Sequence, residues 1–277
     1  MAMFRRNPDN RFIGPLDRWR AARHARACAA DFAQVEVYCQ FIGFPYSGHT
    51  LIGSLLNSHP DVVIAHEADA LARVAAGATR DQLFESLLRA EWHFAAGGFH
   101  WWGYDYSVPG QWQGRYRRLR AIGDKKGGRS ARRLDQDPGL LERLRERVAV
   151  PVRLIINTRN PWDNLARIAR RKRLPLDSAL EWYASFARGV ALAMEQAEPG
   201  EVLLFEHEQF IAEPSVWLER MAVHLGLVVE HDWLEAAASR VFAAPRQARQ
   251  ELDWEPALEQ RLRELIAGYP FLAGYDR

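Results

Sequence analysis

The stretch that most constrains the fold of this chain runs from Gly43 to Thr50 and reads G-F-P-Y-S-G-H-T. An almost continuously apolar run, residues 35–42, comes before it, and the helix-forming residues 51–56 follow it. Such an apolar run is typical of a parallel strand that is covered on both faces. A strand, a glycine-containing turn and a helix in this order bring backbone N–H groups to a helix N-terminus, where they bind phosphate or sulfate. The sequence therefore predicts an anion site after its first strand.

Helical segments alternate with further apolar runs along the rest of the chain. The additional strands are expected at residues 61–66, 119–123, 152–158 and 202–205. The helices are expected at residues 68–94, at 134–148 with Pro151 closing it, at 177–198 with Asp177 as its cap, and over most of the remaining C-terminal sequence. Strands that alternate with helices indicate an α/β fold, a central parallel sheet flanked by helices on both faces.

The pattern along the chain predicts one domain with two additions. Residues 1–34 are polar and rich in arginine and alanine, and we expect an N-terminal extension with one helix at 16–32. Residues 35–277 are expected to form the single domain. An aromatic-rich insertion at 91–116 interrupts it. Its aromatic side chains either seal this loop onto the core or form a stacking wall for a bound molecule near Trp101 to Trp112.

Composition excludes several classes of protein. The 277 residues carry a formal net charge of only +2, which does not fit a bulk nucleic-acid binder. No stretch of about 18 apolar residues predicts a membrane span, and residues 1–10 lack an apolar signal region, so we expect a cytoplasmic protein. Two cysteines provide neither a disulfide framework nor a metal site. Basic residues are concentrated at 115–133 and 159–173, as solvated helix faces or as anion-binding groups.

The spacing of the turn matches the nucleotide-binding pattern G-x-x-x-x-G-K-[ST], but His49 stands at the lysine position. In phosphoryl-transfer enzymes that lysine contacts the β- and γ-phosphates, and the following Ser or Thr binds magnesium. Thr50 is present, and Asp124 is the one candidate for a partner carboxylate. The missing lysine therefore disfavours a nucleotide kinase, which remains a less favoured alternative.

Three segments, in the same order along the chain, carry a resemblance to the sulfotransferase family. Residues 44–50 with 55–61 (L-L-N-S-H-P-D) resemble the family's 5′-phosphosulfate loop, P-[KR]-S-G-T-[TS], and the helix after it. Residues 158–167 (T-R-N-P-W-D-N-L-A-R) resemble the 3′-phosphate motif R-N-P-x-D-x-x-x-S. Residues 203–214 and 224–227 are similar to the family's Y-E-D-L-x-x-x-P … F-L-G-L stretch. The resemblance covers most of residues 35–227 and implies the P-loop NTPase-like sulfotransferase architecture.

The resemblance also implies a reaction and a set of residues. Sulfotransferases move a sulfuryl group from 3′-phosphoadenosine 5′-phosphosulfate to a hydroxyl or amine of a small molecule, glycan or peptide, and they require no metal. The residues that would bind this donor are Tyr46, Ser47, Gly48, His49, Thr50, Arg159, Arg167 and Arg246. Arg249 belongs to the same late basic stretch as Arg246.

Two positions depart from the family pattern. The lysine or arginine of the family's loop falls at Tyr46, and the serine of its 3′-phosphate motif falls at Arg167. Arginine can also bind phosphate, but tyrosine carries no charge to stabilise the leaving group. A replacement cation is therefore expected, from three candidates: His49, Lys125 and Lys126. If none of them replaces it, the protein is a catalytically degenerate member that binds a nucleotide.

A general base must take the proton of the acceptor. Glu67 is the candidate, because it follows the expected strand 61–66 at the position where tyrosylprotein and several polysaccharide sulfotransferases resemble it with a catalytic glutamate. His66 is the competing candidate. Adjacent residues of a strand point to opposite faces, so only one of the two is expected to reach the site.

Overall fold

The computed structural model describes residues 29–242 and 247–275, and its centre is a parallel β-sheet. The strands of this part of the chain are β1 (Val37–Gly43), β2 (Val62–Ala65), β3 (His100–Trp101), β4 (Tyr104–Asp105), β5 (Ala121–Asp124), β6 (Val152–Thr158) and β7 (Val202–Glu206). Five of them form the central sheet in the order β2-β5-β1-β6-β7, and every neighbouring pair is parallel. Strands β3 and β4 form a separate antiparallel hairpin.

Helices connect the strands and cover both faces of the sheet. Those of the described residues are α1 (Ala29–Phe32), α2 (His49–Leu56), α3 (Ala70–Ala75), α4 (Arg80–Ala96), α5 (Gly127–Gln136), α6 (Leu140–Val148), α7 (Pro161–Lys172), α8 (Leu176–Glu195), α9 (His207–Ala212), α10 (Pro214–His224), α11 (His231–Ala238) and α12 (Pro256–Ala267), with short 3₁₀ turns at Ala248–Glu251 and Pro270–Leu272. None of these helices is long and apolar enough to cross a membrane.

Alternating side chains of the strands build two apolar cores, one on each face of the sheet. Tyr38 and Ile42 of β1 belong to the core covered by α1, by α3 to α8 and by α12. Cys39 and Phe41 belong to the core covered by α2 and by α9 to α11. Because both faces are buried, the strands carry almost unbroken apolar runs. The predicted α/β fold with a parallel sheet flanked by helices is confirmed.

Two of the predicted helices are each divided by a turn. The segment 68–94 forms α3 and α4, since Gly77 adopts a left-handed φ of 78° and Thr79 begins α4 with a capping box. In that box the Thr79 hydroxyl accepts from the backbone N–H of Gln82, and the Gln82 side chain accepts from that of Thr79. The segment 134–148 lies in α5 and α6, because Pro138 disfavours helix in the residue before it.

The expected cap at Asp177 is wrong. Helix α8 begins at Leu176, Pro175 is its N-cap residue, and the cap receives no side-chain hydrogen bond. The Asp177 carboxylate instead accepts from Arg261 of α12. Of the predicted N-terminal helix at 16–32, the structure describes Ala29–Phe32, which is helical; the residues before 29 lie outside the described part.

Candidate active site

The segments singled out in the sequence meet at one edge of the sheet. The loop 44–48 follows β1, residues 66–69 follow β2, residues 125–126 follow β5, and Arg159 and Asn160 follow β6. In a parallel sheet all of these positions lie at the carboxyl ends of the strands, where α/β folds bind their ligands. Strand β1 lies at the middle of the sheet, so its loop is flanked by both neighbouring groups of residues.

The loop 44–48 bends sharply into helix α2. Tyr46 and Gly48 adopt left-handed φ values of 66° and 92°, and α2 begins at His49. A Cβ atom on Gly48 would lie 2.5 Å from a ring carbon of His207, so the chain has no room for a larger residue there. The first N–H groups of α2 have no partner inside the helix and are available to an anion.

Three side chains from the β6 side hold the carbonyl groups of this loop. The Asn157 amide donates to the Ser47 carbonyl. An Arg159 guanidinium N–H donates to the Tyr46 carbonyl at 3.0 Å, and the Asn164 amide donates to the carbonyl of Pro45 at 3.0 Å.

These three bonds fix the direction of the loop's backbone dipoles. In a planar trans peptide the N–H points away from the C=O. With the carbonyls of residues 45–47 turned toward β6 and α7, the N–H groups of residues 46–48 point the other way. The Ser47 hydroxyl is also engaged inside the loop: it donates to the Phe44 carbonyl at 2.9 Å and accepts from Asn164 at 3.1 Å. The residues of this loop thus offer backbone donors, while the Ser47 side chain maintains the turn.

A charged cluster lies on the other side of the loop, after β2 and β5. The Lys125 ammonium donates to the Thr50 hydroxyl at 2.7 Å and to the Glu67 carboxylate at 2.8 Å. The Lys126 ammonium forms an ion pair with the second carboxylate oxygen of Glu67. Lys125 is almost fully buried, with 3% of its side chain exposed, whereas 24% of Glu67 is exposed. Lys125 therefore links the first turn of α2, which directly follows the loop 44–48 (the anion loop), to the candidate base.

The pKa of Glu67 reflects two opposing causes. Burial alone raises the pKa of this carboxyl, but the charges and hydrogen bonds of Lys125 and Lys126 outweigh burial and hold it well below its usual range. Burial lowers the pKa of Lys125, and Glu67 opposes that shift. Glu67 is therefore ionised at neutral pH, the state that a general base needs.

His66 lies beside Glu67 in sequence but in a different environment. Its ring stacks on Phe94 at a centroid distance of 3.8 Å and meets the edge of Trp101 at 4.8 Å. Burial and the nearby Lys125 lower its pKa to about 2, so the ring is neutral. Strand β2 ends at Ala65, and Glu67 has a left-handed φ of 62°, so a turn rather than strand alternation separates the two side chains.

The side chain of His49 is buried next to the loop. Its ring packs so closely on Gly127 that a Cβ atom there would lie 2.3 Å from a ring carbon, and it meets Phe41 edge-on. Burial, with a contribution from Lys125, lowers the pKa of His49 to about 3. The ring is neutral at pH 7 and supplies no positive charge; among the three candidate replacements, the charged ones are Lys125 and Lys126.

Arg159 and Arg167 lie on the opposite side of the loop from this cluster. Arg159 is buried, with 5% exposed, whereas Arg167 is partly exposed on α7 with its guanidinium carbon 5.9 Å from the centre of the Tyr46 ring. Arg246 lies outside the described residues. Arg249 donates to Asp163 from its backbone N–H at 2.8 Å and from its guanidinium at 2.9 Å, so it is held at the start of α7.

Asp124, the candidate magnesium ligand of the kinase alternative, has another partner. Its carboxylate accepts from the backbone N–H groups of Ala68 at 3.1 Å and Ala70 at 2.8 Å. Burial raises its pKa to about 6. Asp124 thus holds the segment that follows Glu67, and in the described part of the chain no three His, Cys, Asp or Glu side chains gather as metal ligands.

The aromatic insertion divides into two parts. Trp101 contacts His66 next to the charged cluster, and Trp102 is 70% exposed with the Arg171 guanidinium 5.6 Å from its ring centre. Trp112, in contrast, donates its backbone N–H to Ser58, before the start of β2 and at the far end of the sheet. The part of the insertion around Trp112 therefore lies away from the candidate site, whereas Phe94 and the β3–β4 hairpin border it through His66.

Sequence reasoning overlooked the two asparagines that hold the loop. Asn157 is fully buried in the apolar strand β6, and Asn164 is fully buried in α7. A polar residue inside an otherwise apolar strand has to find a hydrogen-bond partner. That signal was available for Asn157, whereas nothing in the local sequence of Asn164 indicates a contact 117 residues away.

Comparison with known proteins identifies the family. The family model described as sulfotransferase family matches residues 41–231, more than two thirds of the chain. The chain belongs to the sulfotransferase family. No curated protein matches the sequence of this sulfotransferase.

Solved sulfotransferases share its fold at low sequence identity. The sulfotransferase domain of the Synechococcus PCC 7002 olefin synthase is 15% identical, with a TM-score of 0.57 over 88% of this chain and 96% of that domain. The sulfotransferase domain of the curacin biosynthetic pathway is 13% identical, with a TM-score of 0.52 over 87% and 98%. A sulfotransferase from Mycobacterium avium is 12% identical, with a TM-score of 0.50 over 93% and 86%.

Proposed function

We propose that this sulfotransferase moves a sulfuryl group from 3′-phosphoadenosine 5′-phosphosulfate to a hydroxyl, or an amine, of an acceptor. The observation that carries the proposal is the position of Lys125, which bonds both Thr50, in the first turn of α2, and the carboxylate of Glu67. One cation thereby joins the part of the site suited to the donor's anionic group to the part suited to the acceptor's proton.

The residues around the loop fit a polyanionic donor. Four cations lie around the loop: Arg159 and Arg167 on one side, and Lys125 and Lys126 on the other. The two lysines contact the carboxylate of Glu67. The donor's 5′-phosphosulfate would bind at the N–H groups of the loop and of the first turn of α2. Arg159 and Arg167 would bind its phosphates, since guanidinium groups match the geometry of phosphate oxygens.

The transfer step requires no covalent intermediate with the protein. The acceptor oxygen attacks the sulfur and forms the new S–O bond, while the S–O bond to the 5′-phosphate breaks and leaves its electron pair on that phosphate. The acceptor's proton passes to Glu67. The products are the sulfated acceptor and adenosine 3′,5′-bisphosphate. The protein contributes positioning and charge stabilisation, which dominate catalysis of such transfers.

The two lysines adjust the base as well as the anion site. A base whose pKa is held far below neutral accepts a proton weakly. Lys125 is shared between Thr50 and Glu67, so an anion at the loop competes with Glu67 for the same ammonium group. Donor binding would weaken the Lys125–Glu67 contact and raise the pKa of Glu67, and the base would become effective when the donor is in place.

We place the acceptor between Glu67 and the β3–β4 hairpin. Trp101 lies beside His66, and Trp102 extends toward solvent. Flat aromatic faces at this border suit an acceptor with an aromatic or sugar ring. The contacts of Asp124 with Ala68 and Ala70 support sulfuryl transfer over a kinase, because its carboxylate is used in holding a turn.

A transfer assay tests the function. Purified protein is incubated with donor carrying ³⁵S-labelled sulfate and with a panel of phenols, steroids, glycans and tyrosine peptides. We expect label to move to one acceptor class, and Glu67→Gln to lower the transfer rate at least about 100-fold while its affinity for adenosine 3′,5′-bisphosphate stays within threefold of wild type. Tight bisphosphate binding without transfer to any acceptor would instead favour the degenerate member.

A further inference from the structure

We propose that Arg167 provides the positive charge that position 46 of the loop lacks and stabilises the phosphate that leaves during transfer. This inference rests on the proposed function and assigns Arg167 to the 5′ side of the donor. The family loop resembled by residues 44–50 has a lysine or arginine where this chain has Tyr46, and the motif resembled by residues 158–167 has a serine where it has Arg167.

The structure brings these two exchanged positions together. Tyr46 and Arg167 are 121 residues apart in the sequence, yet the guanidinium carbon of Arg167 lies 5.9 Å from the centre of the Tyr46 ring. A cation within about 6 Å of an aromatic face is attracted to it. The tyrosine thus occupies the loop position and offers a surface on which the arginine of α7 can rest. The arginine that this chain has at position 167 therefore lies next to position 46, where the family loop has its lysine or arginine.

The charge of Arg167 is less compensated than that of Lys125. Lys125 is buried and bonded to Glu67, which also binds Lys126. Arg167 is partly exposed and has no carboxylate partner within residues 29–242 and 247–275. A guanidinium beside the loop that is not paired with a carboxylate can stabilise the negative charge that develops on the departing phosphate. Lys125 then serves the sulfuryl side and the base, and Arg167 serves the leaving group.

Arg159 is better placed than Arg167 for the 3′-phosphate. Arg159 follows β6 directly and is held by the Tyr46 carbonyl at 3.0 Å, whereas Arg167 lies two helical turns along α7. The two arginines are near enough for Arg167 to contribute to the lowered pKa of Arg159, of which burial is the main cause. This arrangement fits two separate phosphate sites, with Arg159 at the 3′-phosphate and Arg167 at the 5′-phosphate.

The test restores the residues of the family pattern at positions 46 and 167. Arg167→Ser, Tyr46→Lys and the double variant are compared with wild type for release of adenosine 3′,5′-bisphosphate from the donor, with the best acceptor or with water where none reacts. We expect Arg167→Ser to lower the rate at least 100-fold and the double variant to recover at least tenfold of that loss. Arg173→Ser removes an exposed arginine at the C-terminal end of α7, away from Tyr46, and it should change the rate less than threefold.

Calorimetry with two nucleotides separates the 5′ and 3′ sides. We expect Arg167→Ser to weaken adenosine 3′,5′-bisphosphate and adenosine 5′-monophosphate by the same factor, so that their affinity ratio is unchanged. A loss confined to the bisphosphate, or a double variant no better than Arg167→Ser, would overturn the inference and leave the proposed function standing. Wild-type protein that binds neither nucleotide would overturn the proposed function, and this inference with it.

Discussion

The two sides of the anion loop are built in different ways. On the β6 side, Asn157, Arg159 and Asn164 donate to loop carbonyls and fix the shape of the backbone. On the β2–β5 side, Glu67 is bound between two lysines, and the contacts are between opposite charges. The hydrogen bonds of the β6 side keep the loop's N–H groups directed at the proposed anion site. The ion pairs of the β2–β5 side keep the Glu67 carboxylate ionised.

The difference between the two sides suggests that one serves donor binding and the other serves the chemical step. A site that is preorganised by hydrogen bonds to its backbone should bind the donor whether or not it reacts, because the donors do not have to be rearranged. A charged cluster next to it should affect the chemical step more than binding. Substitutions of the residues that hold the loop carbonyls, Asn157, Arg159 and Asn164, should therefore change nucleotide affinity. Substitutions on the β2–β5 side should change turnover and its pH dependence.

The largest effect is expected at Glu67. Glu67→Gln keeps the size of the side chain but removes the proposed proton acceptor, and we expect kcat to fall about 10²- to 10⁴-fold. Nucleotide affinity, measured by calorimetry on the same preparation, should stay within threefold of wild type. Normal turnover in this variant would mean that the base lies elsewhere and that the division of the site is wrong.

The next effect is expected on the other side of the loop. Arg159→Ala removes a buried guanidinium that holds the Tyr46 carbonyl, and we expect bisphosphate affinity to fall roughly 30-fold or more. Arg153→Ala is the matched control, since Arg153 lies at the start of the same strand and donates to the His224 carbonyl at 3.2 Å. If Arg153→Ala weakens binding as much as Arg159→Ala, the effect belongs to the strand and not to the site.

Lys126 tests the charge of the β2–β5 side. The pKa of Glu67 is held down by both lysines, and activity requires its ionised form, so activity is lost as pH falls through that pKa. Lys126→Met removes one cation, raises the pKa of Glu67, and should move the acidic limb of the pH–rate profile upward by about one unit or more. Lys172→Met, on the surface of α7, should leave the profile in place. An unshifted limb in Lys126→Met would show that this ion pair does not set the titration of the base.

The smallest effect concerns stability. Gly127→Ala would bring a Cβ atom to 2.3 Å from the neutral ring of His49, and we expect a loss of about 1–3 kcal/mol in the free energy of unfolding. Gly97→Ala, at the C-terminal cap of α4 where the nearest atom is 3.4 Å away, should change it by less than about 0.5 kcal/mol. Urea denaturation measures both. Equal values for the two variants would contradict the packing role assigned to His49.

The parallel sheet was predictable because its strands are covered on both faces and therefore show as apolar runs. Strand β6 was predicted with its observed bounds, Val152–Thr158. The helices were harder, since their interruptions depend on single residues such as Gly77 and Pro138 rather than on periodicity. Glu67 was selected from its place after an apolar run together with the family resemblance at that position. Its side chain was separated from His66 by the left-handed turn at residue 67, not by the alternation expected of a strand.

Contacts between distant segments were beyond the sequence. The shared hydrogen bonds of Lys125 with Thr50 and Glu67 depend on how β5 lies between β1 and β2, and the order of strands in a sheet is not encoded locally. His49 was selected from its place in the loop motif of residues 44–50, but its burial against Gly127 depends on the start of another helix. The contact between Tyr46 and Arg167 likewise depends on how α7 packs beside the loop, which the local sequence does not encode.

The most direct measurement of the central claim is a calorimetric titration of the wild-type protein, first with adenosine 3′,5′-bisphosphate and then with ATP plus magnesium. The loop lacks the kinase lysine, Asp124 is bonded to backbone N–H groups, and Arg159 borders the loop. We expect binding of the bisphosphate at least tenfold tighter than that of ATP with magnesium, and this preference should be lost in Arg159→Ala. A preference for ATP with magnesium would contradict the assignment of this site to sulfuryl transfer.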